Sequence, residues 1–169
     1  GDISADSSAG YSNAIAVQSG EQGATIVNYG SLEATGDNAW TVNAVGGALG
    51  LYNYGDISGS MITDGGDDYI YNGEDGRIFM NGDTIDLGGG DNLFVNEGKL
   101  YANGSSNIIN MGYTSYGEGG YSYGLFVNNG SSIHMDDGAA DDALTIIGDF
   151  SGTGDVNVDV NGATLSSDQ

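Results

Sequence analysis

The chain has 169 residues, enough for one ordinary domain or a handful of turns of a repeat protein, and it carries 32 glycines but neither proline nor cysteine. Its 24 acidic residues against two basic ones, Arg77 and Lys99, give a formal charge of −22, a field that repels phosphate backbones and anionic lipid and so argues against nucleic-acid binding and electrostatic docking on a membrane. Without cysteine there is no disulfide framework, thiolate nucleophile or cysteine zinc site, and no apolar run approaches the roughly 18 residues that suggest a membrane-spanning helix.

Short bursts of β-branched and aromatic residues separated by Gly, Asn and Asp run through the chain, the pattern of many short strands with tight turns. The chain opens on Gly1 without Met or a signal peptide, as expected of an internal fragment. Gly1-Asp2-Ile3 reads as the tail of a unit that recurs as Ile26-Val27-Asn28-Tyr29-Gly30-Ser31-Leu32 and Leu51-Tyr52-Asn53-Tyr54-Gly55-Asp56-Ile57. A looser copy starts at Ile70-Tyr71-Asn72 and reaches Gly76-Arg77-Ile78. Phe94-Val95-Asn96-Glu97-Gly98-Lys99-Leu100 restores the pattern, and Phe126-Val127-Asn128-Asn129-Gly130 continues it to Ile133. Steps of 21 to 33 residues between the closing aliphatics mark a solenoid whose turns carry loop insertions. Each unit holds three strand signals. In the fourth they are Arg77 to Met80, Thr84 to Leu87 and Leu93 to Asn96, and three short strands per turn, repeated, predict a parallel β-helix.

Residues two apart on a strand share a face, so turning Ile26, Leu51, Ile70, Phe94 and Phe126 inward also turns Asn28, Asn53, Asn72, Asn96 and Asn128 inward. A buried, unpaired amide costs roughly 1–3 kcal/mol, a penalty that stacking the five asparagines into a ladder removes. The competing placement leaves them in exposed turns. The glycine two residues further on is expected to supply positive φ at a sharp corner.

The largest insertion, Gly112 to Gly124, carries Tyr113, Tyr116, Tyr121 and Tyr123 among glycines and serines. Such a segment cannot build its own core and is expected to project as a loop. Its composition suits an adaptable binding surface, for which these four tyrosines are the candidates; a functionless insertion is the plain alternative. Beyond Ile133 the Asn-x-Gly signature stops, which divides the chain into residues 1–135 with the repeat and residues 136–169 with an altered motif. The second part holds Val156-Asn157-Val158-Asp159-Val160, alternating with period two, and its last turn is expected to have continued in a parent protein.

Asp142 to Gly152, the recurring Asn-x-Gly-x-Ile units and the closing Ser167-Asp168-Gln169 together resemble passenger domains of Gram-negative autotransporters. That resemblance implies a right-handed parallel β-helix, here of about 5–7 turns with three strands each, delivered to the cell surface or secreted by a Gram-negative bacterium. It further implies a parent anchored by an outer-membrane β-barrel and a role in adhesion or aggregation. The partners expected are host or neighbouring-cell surface molecules, or further copies of the chain, and no nucleic acid.

Chemistry-bearing residues are few. Asp64, Asp67, Asp68 and Asp91 lie in glycine turns that resemble single units of a calcium-binding G-G-x-G-x-D repeat, and Asp136 to Asp142 is a weaker relative. Calcium is therefore the one cofactor to weigh, although the units are not tandem. The single histidine, His134, reads as a surface or cap residue rather than a base. Adjacent aspartates such as Asp67-Asp68 and Asp141-Asp142 read as solvated corners rather than the carboxylate pair of glycoside hydrolysis. The expectation is a structural or adhesive module without catalysis. Its alternatives are a polysaccharide-acting β-helix enzyme and a calcium-dependent folding module.

Overall fold

A computed structural model describes residues 1–6, 12–36, 38–117, 120–161, 166–167 and 169. Glu118 and Gly119 of the insertion, and Asp168 of the closing segment, lie outside the described residues. Among them there is no helix; the chain winds through three parallel sheets, one strand per sheet in each turn.

The first sheet takes Ile3–Asp6, Ser31–Thr35, Asp56–Ser58, Arg77–Asn81, Lys99–Asn103, Ser132–Met135 and Asp155–Val158. The second takes Ser12–Gly20, Ala39–Gly46, Ser60–Thr63, Thr84–Asp86, Asn107–Asn110 and Leu144–Ile147. The third takes Ala24–Asn28, Leu49–Asn53, Tyr69–Asn72, Leu93–Asn96, Leu125–Asn128 and Asp149–Gly152. Strands of one sheet therefore come from successive turns. The described residues form a parallel β-helix of six turns and the opening strand of a seventh.

Period-two burial decides which side chains meet. Leu93–Asn96 and Leu125–Asn128 bury every second residue, and the parallel register stacks like on like: Leu51, Ile70, Phe94 and Phe126 form one inward column. The repeat's closing aliphatics, Ile3, Leu32, Ile57, Ile78, Leu100 and Ile133, form the column of the first sheet. Val42, Met61, Ile85 and Ile109 form that of the second. Each interior member is fully covered by the turns on either side, a burial that contributes roughly 1.5–3 kcal/mol per side chain. Ile3 and Val156, with a neighbouring strand on one side only, stay about half exposed at 45% and 50%.

Three expectations change in the structure. Of the glycines two residues after the ladder asparagines, only Gly130 has positive φ; Gly30, Gly55 and Gly98 do not. Those three are glycine because turns press together at the corner: a Cβ on Gly98 would fall far inside contact of the Gly73 and Gly76 carbonyl oxygens. The tyrosine-rich insertion is a β-hairpin, not an irregular loop, pairing Tyr113–Ser115 with Tyr121–Tyr123 antiparallel. The period-two run at Val156 to Val160 is divided: Asp155–Val158 joins the first sheet, while Val160–Asn161 leaves it to pair antiparallel with Ser166–Ser167. Residues before and after position 135 otherwise stack in one register, through Ile133↔Val156 and Phe126↔Phe150.

Candidate functional site

Where the third sheet turns into the first, the five asparagines form an unbroken amide ladder. Asn28 Nδ2 donates to Asn53 Oδ1 at 2.8 Å, Asn53 to Asn72 at 2.8 Å, Asn72 to Asn96 at 2.7 Å and Asn96 to Asn128 at 2.8 Å. The remaining amide hydrogens reach corner carbonyls such as those of Gly55 and Lys99. The ladder stops at Asn128, because the next turn places Gly152 opposite it. All five are buried, so this is scaffold and not a surface for ligands.

The hairpin is the feature that projects from that scaffold. A parallel bridge from Gly89 to Tyr113 ties down its entry, and the Gly124 amide donates to the Gly112 carbonyl at 3.3 Å across its base. Tyr113 sits opposite Tyr123, and Ser115 opposite Tyr121, so Tyr113, Tyr121 and Tyr123 share one face. Their rings meet at centroid distances of 5.7 and 6.4 Å around Tyr113, yet each remains at least half exposed. Tyr116, at the tip, is exposed but tied down: its hydroxyl donates to both Asp91 oxygens, at 3.2 and 3.1 Å. That bond, first, and partial desolvation raise its phenol above the ordinary tyrosine range.

Asp91 belongs to the acidic corner between the second and third sheets, and the structure separates its members by role. Asp68 is buried, accepting from the Leu49 amide at 2.7 Å and the Thr63 hydroxyl at 2.5 Å. Asp67 accepts from the Asp91 amide at 2.9 Å. Asp64 is exposed. These four carboxylates do not converge on one point; among the described residues the only group of three that does is Asp137, Asp141 and Asp142, with ligand oxygens within 4.8 Å of one another. The four side chains read for calcium at Asp64, Asp67, Asp68 and Asp91 are thus not gathered into one carboxylate cluster.

His134 has unforeseen company. Ser132, His134 and Asp136 follow at period two along the strand Ser132–Met135 and the residue just after it, with Ser132 Oγ 2.8 Å from Nε2 and Nδ1 2.9 Å from Asp136 Oδ1. These are the contacts of an acyl-transfer triad, but such chemistry also needs donors aimed at a developing oxyanion. The depression of about 220 Å³ beside Ser132 is bordered by Glu74, Glu97 and Asp155 as well as Lys99, which opposes negative charge there.

Stacked aromatics on the outer faces escaped the sequence reading altogether. Tyr29 and Tyr54 stack at 5.2 Å, Phe79 and Tyr101 at 4.8 Å, and Tyr101 and His134 at 4.9 Å. Tyr71 donates to Glu97 at 2.5 Å and Asn129 donates to the same carboxylate at 2.7 Å. The Tyr71 bond holds Glu97 below the usual carboxylate range, and the same bond is the main reason that the Tyr71 phenol is pushed up to about 12. The available signal for part of this was tyrosine next to the ladder asparagine in three units, at Tyr29, at Tyr52 and Tyr54, and at Tyr71.

Comparison with protein-family models, with curated proteins and with solved structures finds no match to this chain.

Proposed function

We propose that this protein is an extracellular structural and adhesive β-helix, displayed on or secreted from the surface of a Gram-negative bacterium in the manner of an autotransporter passenger, and that it acts by binding rather than catalysis. The observation that carries the reading is the hairpin: three tyrosines on one face, at least half exposed, held on a rigid solenoid through Tyr116 and Asp91. Tyrosine supplies large contact area for little side-chain entropy, and a β-hairpin whose tip is pinned loses less freedom on binding than an open loop. Partners on this reading are surface molecules of host or neighbouring cells, or other copies of the chain, with the acidic surface favouring neutral or basic ones over anionic ones.

The test is flow cytometry of the fluorescently labelled chain on cultured epithelial cells and on Gram-negative bacterial cells. Replacing residues 113–123 with a short Gly-Ser linker is expected to abolish cell binding while leaving the β-rich circular dichroism in place. Retention of binding by the folded variant would place adhesion elsewhere on the molecule.

A further inference from the structure

Connections between the first and second sheets differ in length, and the difference cuts a groove across the solenoid. Three residues separate Ser31–Thr35 from Ala39–Gly46 in the second turn, and Gly82 and Asp83 separate Arg77–Asn81 from Thr84–Asp86 in the fourth. In the third, Gly59 alone joins Asp56–Ser58 to Ser60–Thr63. The short connection forms a floor between two longer walls, enclosing about 580 Å³, a volume typical of small-molecule sites. Gly59 cannot be larger: at φ +111° its Cβ would lie 2.5 Å from the Ala34 carbonyl oxygen and 2.8 Å from Thr41 Oγ1.

One wall carries the only tryptophan of the chain. The register shifts between Trp40, paired with Ser60, and Val42, paired with Met61, so Thr41 is an extra residue, a bulge. Thr41 turns inward and donates to the Ser58 carbonyl at 2.7 Å, leaving Trp40 half-buried on the outer face along the groove. The opposite wall is polar and already ordered. Asp83 Oδ1 accepts from the Ser60 hydroxyl at 2.9 Å, Asp83 Oδ2 from the Asn81 amide at 3.2 Å, and Ser60 Oγ from the Thr84 amide at 3.1 Å. Each carboxylate oxygen keeps a further lone pair, and the exposed side chains of Asn38 and Asn81 add donors and acceptors at the rim.

We propose that this groove binds a neutral hexopyranose oligosaccharide, the C–H face of one ring lying on Trp40 and its hydroxyls bonding Asp83 and the rim amides. An indole face attracts polarised C–H groups, and a fixed carboxylate accepts hydroxyl protons without the cost of ordering it first. The net charge of −22 opposes acidic sugars and phosphorylated ligands. The groove is separate from the hairpin, and the inference does not rest on the adhesive role given to that element.

Because Trp40 is the sole tryptophan, its intrinsic fluorescence reports on this groove alone. The whole chain is titrated with maltotetraose, cellotetraose and triacetylchitotriose, with tetragalacturonate and tetralysine as charged comparators. At least one neutral sugar is expected to shift the emission saturably, with Kd below about 1 mM. By calorimetry, Asp83→Asn weakens that binding about 10-fold, Trp40→Ala abolishes it and Trp40→Phe retains it in weakened form, each variant first checked by circular dichroism. The chain with residues 113–123 replaced binds the sugar unchanged, so failure of the adhesive reading leaves a distinct signature. The proposal is overturned by the absence of a saturable response to all three neutral sugars, by equal binding in Asp83→Asn, or by a response confined to a charged comparator.

Discussion

At Asp68 a carboxyl group stands where the fold leaves almost no water, at 1% exposure. Desolvation is the leading cause raising its pKa, the bonds from Thr63 and the Leu49 amide oppose it, and Asp67 and Asp64 add to the rise. With the folded value above the unfolded one, the native state holds the proton more tightly. Stability contributed by Asp68 is therefore greatest below the ordinary aspartate pKa and falls as pH rises through the raised value. Asp68→Asn keeps an acceptor for the Leu49 amide without the buried charge, so urea unfolding between pH 4 and pH 7 is expected to lose this part of its slope. Asp68→Ala, which strands that amide, is expected to cost about 1–3 kcal/mol at either pH. An unaltered pH slope in Asp68→Asn would assign the dependence to another group. Sequence reading placed Asp68 in a solvated corner or at a calcium ion, since nothing in Asp67-Asp68 says which of two adjacent carboxyls turns inward. That is set by the phase of Tyr69–Asn72 against Leu49–Asn53 and Leu93–Asn96, strands distant in sequence.

A strand of the third sheet, its asparagine and the glycine corner act as one repeating element. Within it each amide serves two turns at once: Asn72 accepts from Asn53 and donates to Asn96. Asn72→Ala leaves a buried donor above and a buried acceptor below, and is expected to cost about 2–4 kcal/mol in chemical denaturation, against about 1 kcal/mol for Asn28→Ala at the ladder's end. Equal costs at both positions would show that the ladder does not act as a chain of shared bonds. The repeat made this column and its register legible, because like residues recur at like phase. Why glycine closes the corner was misread, since carbonyls from the turn alongside, invisible in a local string, occupy the space of a Cβ. The hairpin was misread for the opposite reason: glycine and serine between tyrosines hide a short alternation, Tyr-Thr-Ser against Tyr-Ser-Tyr, that pairs once its ends are held together.

Over the whole molecule, 24 acidic groups face two basic ones, and Arg77 spends its charge in a paired contact with Asp56 at 2.7 and 2.8 Å. Self-repulsion opposes the compact state, and salt relieves it: between about 0.01 and 0.1 M ionic strength the screening length falls from about 30 to about 10 Å. Thermal unfolding is accordingly expected several degrees higher at about 0.1 M sodium chloride than at about 0.01 M. A Tm indifferent to salt would mean that the carboxylates are spaced widely enough along the solenoid to ignore one another.

By itself the sequence determined the winding: three strands per turn, the inward aliphatic columns and the asparagine column follow from period-two alternation and the recurrence of one unit, both of which are local. Tertiary structure alone decided which carboxyl is buried at Asp68, that Tyr116 bonds Asp91, and that a one-residue connection at Gly59 opens a groove beside Trp40. Each of those depends on what lies in the next turn, a full circuit away along the chain, where neighbouring residues in space share no local signal.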